Sequence, residues 1–579
     1  MLPTTWISTK KTKQSIKIIE KISQTLQIDF VIASLLFQLG IDNIAAAKMF
    51  LKPKLCELKD PFLIQDLQFV VNRLWKAFQN QDSIIIIGDY DVDGITSTTL
   101  LMFVLRFFNL NVEYSIPKRL QEGYGLSQSI LNRLLIRKKP DLIIALDCGT
   151  NSKKEIKFLK NLGIDVIVID HHFSKEKQLP KNCIFLNPHL QKNQNSSWKN
   201  FCTVGLVFKV VHGFVKYLRK KRILKAFTID LKDYLYLVAM GNIADMVPLK
   251  QENRILTYHG LQRISYSKHP GICAFLKSTG IASKQKIKSS DIAFLLSPRI
   301  NASGRLHDAS LSIKMLLEKD HNSCTSIANK LNIFNKKRRL IENAIFQEAK
   351  NKVNLEQKNA AAIILYNKNW HSGVVGIVAG RLTKLYNRPS IVFGNAKNSF
   401  TKGSGRSITG ISLIDTLKKC EILLKNWGGH SMAVGVEIDI KKINDFQCTF
   451  NKIVKGIRNK QNTLKNIKIS AWLKLNDIKN SLLDDLYQLE PFGEENKEPI
   501  FGIRKIQIKK EPELFGDGHY KFNLKLNTKK LLKIIAWKYC ESIIPCHQAL
   551  DIIIKINWNN WNNYKFPQGE LIDWRLSKF

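Results

Sequence analysis

A chain of 579 residues is long enough for about three or four domains, each with its own buried core. Its 44% apolar content fits a globular protein, and no run reaches the roughly 18 apolar residues of a membrane span. The formal net charge of +42 points to a polyanionic partner such as nucleic acid, although lysine, asparagine and isoleucine abound everywhere, as in an AT-biased genome, so part of the excess is compositional.

The chain opens Met1-Leu-Pro-Thr-Thr-Trp-Ile-Ser-Thr-Lys-Lys without an apolar signal core, so a cytoplasmic location with no membrane contact is expected. The ten cysteines form no CxxC pair, which argues against a zinc ribbon or a disulfide framework. Residues 1 to 80 read as a small helical lead-in, with Phe30-Val-Ile-Ala-Ser-Leu-Leu-Phe-Gln-Leu39 on a helical period.

Residues 81 to 310 alternate strand and helix patterns, which predicts an α/β domain with a doubly wound parallel sheet. Its first strand, Ser83-Ile-Ile-Ile-Ile-Gly, cannot sit on a solvated face and runs into Asp89-Tyr-Asp91-Val-Asp93-Gly94. Such sheets keep their ligands beyond the carboxyl ends of the strands, where three crowded carboxylates repel one another unless a divalent cation relieves them. An acidic turn capping the next helix is the plainer alternative. Two further apolar strands end the same way, Leu142-Ile-Ile-Ala-Leu-Asp147 and Val166-Ile-Val-Ile-Asp170-His171-His172, and Asp245 follows an apolar helical stretch at 234 to 240. Oxygen ligands outnumber nitrogen ligands, which favours Mn2+ or Mg2+ over zinc, and so many ligands suit two ions sharing a bridging carboxylate. At the end of this domain Arg299, Asn301 and Arg305 lie among small residues, as a loop suited either to phosphate or to acidic helix ends.

Residues 311 to 358, with Lys336-Lys-Arg-Arg339, read as a long polar helix connecting domains. Residues 359 to 460 form a smaller α/β unit, opening on the strand Ala360-Ala-Ala-Ile-Ile-Leu-Tyr366 and rich in glycine motifs. Gly403-Ser404-Gly-Arg406-Ser407 offers close backbone approach, two hydroxyls and a guanidinium to a phosphate, or is an ordinary turn. Trp370-His371 suits a base or a phosphate, and Gly428-Gly429-His430 alone is a common turn signal. Residues 465 to 579 carry short alternating strands, which suggests a small β-barrel. Trp558, Trp561, Tyr564 and Trp574 in it suit stacking on unpaired bases or packing in its core.

Asp170-His171-His172 after Asp89-Tyr-Asp91-Val-Asp93-Gly94 resembles the DHH phosphoesterase superfamily. Glu122-Gly-Tyr-Gly125, Ser297-Pro-Arg299-Ile-Asn301-Ala-Ser-Gly-Arg305, Trp370-His371-Ser-Gly-Val-Val-Gly376, Gly403-Ser-Gly-Arg406-Ser407 and Gly428-Gly-His430 follow in the order of the bacterial RecJ family of single-strand-specific exonucleases, from about residue 60 onward. Cys148 stands where many relatives have Asn, from which altered hydrogen bonding around the metals is expected. The resemblance implies a DHH domain, a DHHA1 domain facing it across a groove, and a C-terminal OB-fold. It implies a metal-dependent exonuclease that releases mononucleotides from single-stranded DNA in the 5′ to 3′ direction, in recombination and repair. Two ions held by Asp89, Asp91, Asp93, Asp147, His171 and Asp245 would supply hydroxide near neutral pH. Asp170 is expected to orient a neighbouring imidazole or to bind metal directly; His172 to bind phosphate, metal or a proton. Arg299, Asn301, Arg305, His371, Ser404, Arg406, Ser407, Gly428, Gly429 and His430 are the expected substrate contacts. Single-strand-binding protein and a DNA helicase are the implied partners, and the chain is expected to be a monomer. Other readings keep the same acids in a small-substrate phosphoesterase, namely an oligoribonuclease, cyclic-dinucleotide phosphodiesterase or pyrophosphatase, or keep the fold in an inert DNA-binding scaffold or a weakened enzyme.

Overall fold

The computed structural model describes residues 4–8, 12–119, 121–174, 180, 183–190, 197–284, 286–397, 399–458, 465–516, 518–526, 531–537, 544–561 and 564–577. The metal domain is built on a five-stranded, wholly parallel sheet in the order Asn111–Ser115, Ser83–Gly88, Leu142–Leu146, Asp165–Ile169, Ile184–Leu186. The isoleucine run takes an interior place, between Asn111–Ser115 and Leu142–Leu146, because only a strand covered on both faces can bury successive large side chains. Helices Val92–Phe107, Thr203–Lys220 and Leu235–Ala244 cover one face, and Gln128–Leu135 and Lys153–Asn161 cover the other. Gly88 pairs with Leu146, and Leu146 with Ile169, so the three central strands end level. Asp89, Asp147 and Asp170, each the next residue in its strand, therefore emerge side by side.

Arg299, Asn301 and Arg305 lie on a helix, Ser297–Leu306, rather than on the expected loop. Pro298 is compatible with a first helical turn, and Gly304 lets the helix rest on Tyr90, whose carbonyl oxygen a Cβ there would meet at 3.1 Å. The connector is shorter than expected at its start: Ser310–Leu317 is a separate helix packed into the metal domain, and the long helix runs His321–Glu356, about 54 Å. Asp320 caps it by accepting from the Ser323 amide at 2.6 Å. One half of the helix is buried in the metal domain through Ile327 and Leu331, the other in the smaller domain through Phe346 and Val353.

That domain has a five-stranded sheet in the order Leu424–Gly429, Ala433–Asp439, Phe400–Arg406, Ser390–Lys397, Ile363–Tyr366, antiparallel except for the last pair. Helix Val375–Tyr386 packs between this sheet and the connector, and Ile443–Arg458 covers the opposite face. The C-terminal unit is a seven-stranded sheet running from Ala471–Leu473 to Glu513–Phe515 in spatial order, with Ala549–Trp561 and Tyr564–Leu576 at its middle.

The lead-in does not form a body of its own. Ile19, Ile22, Ile32, Leu36 and Phe50 share one core with Leu482, Phe501, Ile534 and Ile552 of the C-terminal unit, whereas helix Leu67–Asn80 packs in the metal domain. Three short helices bury too little apolar surface alone, so they complete the sheet's core instead. Strand Thr4–Ser8, unanticipated in a helical segment, pairs in parallel with Lys465–Ile469.

Candidate metal centre

Asp91 caps helix Val92–Phe107 by accepting from the Gly94 amide at 3.1 Å, so the turn-capping role and the acidic cluster coexist. Gly94 is required there: a Cβ would lie 2.5 Å from the Asp89 carbonyl oxygen. Asp93 points instead at the N-terminus of Thr203–Lys220, accepting from the amides of Thr203 at 2.7 Å and Val204 at 2.8 Å. The Thr203 hydroxyl donates to Asp147 at 3.0 Å, and the Tyr124 hydroxyl donates to the Asp147 carbonyl at 2.7 Å.

His171 Nε2 stands 3.3 Å from Asp147, 3.7 Å from Asp245 and 3.9 Å from Asp93. Potential ligand atoms fall into three groups, each within 4.8 Å: Asp89, Asp91 and Asp147; Asp147, His171 and His172; Asp93, Cys202 and Asp245. Asp147 belongs to two of them, as a bridging carboxylate would. Asp89 Oδ1 is buried without a hydrogen-bond partner, an arrangement that costs free energy unless a cation completes it.

The electrostatics describe a cluster short of positive charge. Burial, then Asp91, pushes the Asp89 carboxyl well above its ordinary range; burial, then Asp93, does the same to Asp147. Asp93 rises to about 6 through burial and Asp91, and Asp245 to about 8 through burial and Asp93. Burial and then the charge of His172 lower His171 to about 3, leaving its imidazole neutral with a lone pair to give. The residues therefore fit divalent cations: hard oxygen donors in excess, one neutral imidazole and an orphaned carboxylate oxygen.

Asp170 faces away from this cluster. Its Oδ1 takes the His172 ring at 2.7 Å and the amides of His171 at 2.8 Å and His172 at 3.2 Å, and its Oδ2 takes the Thr150 amide at 3.2 Å. Burial would raise this carboxyl, but the His172 hydrogen bond and charge outweigh it and hold it well below the usual range. Burial likewise opposes a charged His172, yet Asp170 raises it to about 9.

Other expected residues divide. His430 reaches the centre, its ring 6.3 Å from that of His172 and 6.0 Å from Phe173, at the end of the strand carrying Gly428 and Gly429. Arg305 lies between the two domains, donating to the Gly373 carbonyl at 2.9 Å; burial, then Arg119, lowers its pKa to about 9. Arg406 adds a further cation there and bonds Ser404 Oγ at 3.1 Å. Asn301 lines a cavity at the domain junction. His371 Nδ1 accepts from the Gly373 amide at 3.1 Å.

Arg299 is engaged elsewhere, by the Leu295 carbonyl at 2.6 Å and Asn332 at 3.1 Å, and Ser407 donates to the Ile411 carbonyl at 2.6 Å from a buried position. Gly403 and Gly405 sit within a strand, making room for the Phe393 ring and Val434. Trp370 is 1% exposed and bonded to Glu348 at 2.7 Å, so it stacks on no base. Cys148 turns into the core beneath the sheet, with its sulfur 3.9 Å from the Ile87 carbonyl oxygen.

Sequence reasoning missed Thr203, which opens an apolar helix and turns its hydroxyl to Asp147, and Arg119, which stacks on Tyr90 at 4.6 Å; neither carries a motif. Tyr124 lies within a glycine motif, and its hydrogen bond to the Asp147 carbonyl appears only in the fold. In the C-terminal unit Trp558 donates to Asp484 at 2.9 Å beneath Lys565, and Trp574 packs against the core. The side chains of Trp561 and Tyr564 lie outside the described residues.

Three family descriptions match the chain: "DHH family, N-terminal domain" over residues 83–241, "DHHA1 domain" over 358–456 and "RecJ OB domain" over 469–573. The chain is 29% identical to the single-stranded-DNA-specific exonuclease RecJ of Bacillus subtilis over 97% of its own length and 70% of that protein. Its fold matches the crystal structure of RecJ from Thermus thermophilus in complex with Mn2+ with a TM-score of 0.84 at 25% identity, covering 100% of this chain and 80% of that one. It is 33% identical to the single-stranded-DNA-specific exonuclease RecJ of Escherichia coli, covering 79% of this chain and 81% of that protein. With the carboxylates in place at the strand ends, the chain belongs to the RecJ family within the DHH phosphoesterases.

Proposed function

We propose that this chain is a metal-dependent exonuclease specific for single-stranded DNA, releasing 5′-mononucleotides from the 5′ end. The observation that carries the reading is the convergence of Asp89, Asp91 and Asp147 in one group of ligand atoms and of Asp93 and Asp245 in another, with His171 within 3.9 Å of Asp93, Asp147 and Asp245 and with Asp89 Oδ1 left unpaired. Two divalent ions, Mn2+ or Mg2+, would bind these residues and supply Lewis acidity and hydroxide near neutral pH.

The chain's own groups do the positioning. The amides of Thr203 and Val204 fix Asp93, and the Thr203 hydroxyl aims Asp147, so the ligand atoms are placed before metal enters. Asp170 holds the Nδ1 side of His172, which leaves Nε2 to donate a hydrogen bond or proton to phosphate oxygen. Arg305, Arg406 and Arg119 crowd together with Tyr90, and their mutual repulsion is relieved by the charge of a terminal phosphate. His430 closes the site from the smaller domain, across the groove in which the scissile nucleotide would lie.

A cavity of about 860 Å³ leads from Asn242 and Met246, beside Asp245, past Asn301 and Arg305 to Lys555 of the C-terminal unit. It offers a path for one strand, with apolar side chains such as Phe294 for bases and Arg305, Arg338, Lys288 and Lys555 for phosphates. The same proposal includes a cytoplasmic monomer acting in recombination and repair with single-strand-binding protein and a helicase, as the family implies. No described helix is long and apolar enough to cross a membrane.

Matched single- and double-stranded DNA, labelled at either end, tests the reading with Mn2+ or Mg2+ and an EDTA control. Metal-dependent release of mononucleotides from the 5′ end of the single strand alone is the expected result. Cleavage confined to dinucleotides or pyrophosphate would overturn it in favour of a small-substrate phosphoesterase.

A further inference from the structure

A second cavity, of about 840 Å³, opens on the metal domain at the far end of helix Val92–Phe107. Phe103 and Phe107 line it, whereas Asp93 begins the same helix, so it lies roughly 20 Å from the carboxylates. Its volume is that of a small-molecule site. The wall is aromatic: Phe103, Phe107, Tyr234, Tyr236, Tyr266 and His269. The Phe103 ring lies 5.4 Å from Tyr234 and 5.6 Å from His269, and Tyr236 lies 6.3 Å from His269.

Arg106, Arg263, Lys268 and Lys319 stand around it, against one acid among the lining residues, Asp233, which lies 3.7 Å from Arg263. Both N-terminal and C-terminal helix ends border the cavity, so their dipoles oppose one another and the side chains set a positive sign. Tyr236 is 4% exposed, and its buried hydroxyl has no hydrogen-bond partner, although buried polar groups are nearly always paired. Tyr266 is 79% exposed at the rim, a large ring held in water.

We propose that this cavity is a second nucleotide site, where a base packs on the aromatic wall, its sugar or base edge bonds the Tyr236 hydroxyl, and its phosphate meets Arg106, Arg263, Lys268 and Lys319. Planar rings beside clustered cations match the two halves of a nucleotide, and neither half alone accounts for both features. The ligand is either a free mononucleotide, the kind of product the metal centre would release, or a nucleotide of a strand crossing the surface.

The full chain in EDTA, which prevents cleavage, separates these sources. Binding of dAMP is measured by equilibrium dialysis and of a labelled dT15 strand by anisotropy, for the wild type, the surface double variant Arg263→Glu/Lys268→Glu, the buried variant Tyr236→Phe, and a control of equal charge, Lys17→Glu/Lys21→Glu. A loss of at least tenfold in dAMP affinity in the cavity double variant, with a smaller loss in Tyr236→Phe and none in the control, supports the site for a free nucleotide. The same pattern with dT15 supports it for a strand. Unchanged binding of both ligands in the cavity variants, or equal losses in cavity and control variants, overturns it. Nuclease activity with metal is measured separately, so a failure of this inference is distinct from a failure of the proposed reaction.

Discussion

Asp89 stores the free energy that metal binding releases. Its buried, unpaired Oδ1 beside Asp91 is unfavourable while the site holds no cation, and that cost keeps the donors available. Asp89→Asn removes the repulsion, so in EDTA the variant should melt above the wild type, by about 1 kcal/mol of added stability. With Mn2+ the order reverses, and kcat on single-stranded DNA should fall by about a thousandfold or more, about 4 kcal/mol. Strand affinity in EDTA should stay within about twofold, since phosphate contacts lie elsewhere. Melting curves with and without Mn2+, and label release, check all three.

Two helices show how an element's surroundings outweigh its own pattern. On Thr203–Lys220, burial first and then Lys209, Lys216 and Arg219, opposed by Asp60, lower His212 to about 4, and its Nδ1 is buried without a partner. The folded pKa lies below the unfolded one, so the unfolded chain takes up the proton first as pH falls from about 6.5 towards 4. Stability present above pH 6.5 is therefore lost on acidification, by about 2.5 kcal/mol at pH 4.5 from this group. In EDTA, His212→Gln should lose that much less than the wild type between pH 7 and 4.5, read as urea midpoints. On Gln251–Ser265, Arg254 is 2% exposed and donates to five main-chain carbonyls, those of Phe50, Gln488, Leu489, Glu490 and Pro491. It ties the lead-in and the C-terminal unit to the metal domain. Arg254→Gln leaves several buried carbonyls unpaired and should cost on the order of 3–5 kcal/mol, with faster proteolysis near residue 490. Cleavage of a trinucleotide should fall less than cleavage of a long strand, which separates docking from chemistry.

At the scale of the whole molecule, the charge of +42 makes binding a matter of counterion release. If six phosphates of a single strand are neutralised, affinity should fall by about 300-fold between 50 and 200 mM salt, and anisotropy titrations read that slope. A slope near zero would assign the excess charge to composition alone. The sequence carried the metal domain's strands and carboxylates because an all-isoleucine strand ending in acids has few other solutions, and the order of its motifs identified the family. It carried less of the smaller domain, where Gly403 and Gly405 look like a phosphate loop but are glycines because Phe393 and Val434 occupy the space of a side chain. Nothing local in residues 13 to 51 says that they complete the core of a sheet more than 400 residues away, and nothing around Arg119 says that it stacks on Tyr90. By itself, then, the sequence determined what is periodic or clustered along the chain: strands, helices, acidic strand ends and the charge. Only the tertiary structure decided which imidazole Asp170 holds, which arginines remain for phosphate and where the lead-in belongs, because each depends on groups that meet in space after the chain has closed long loops.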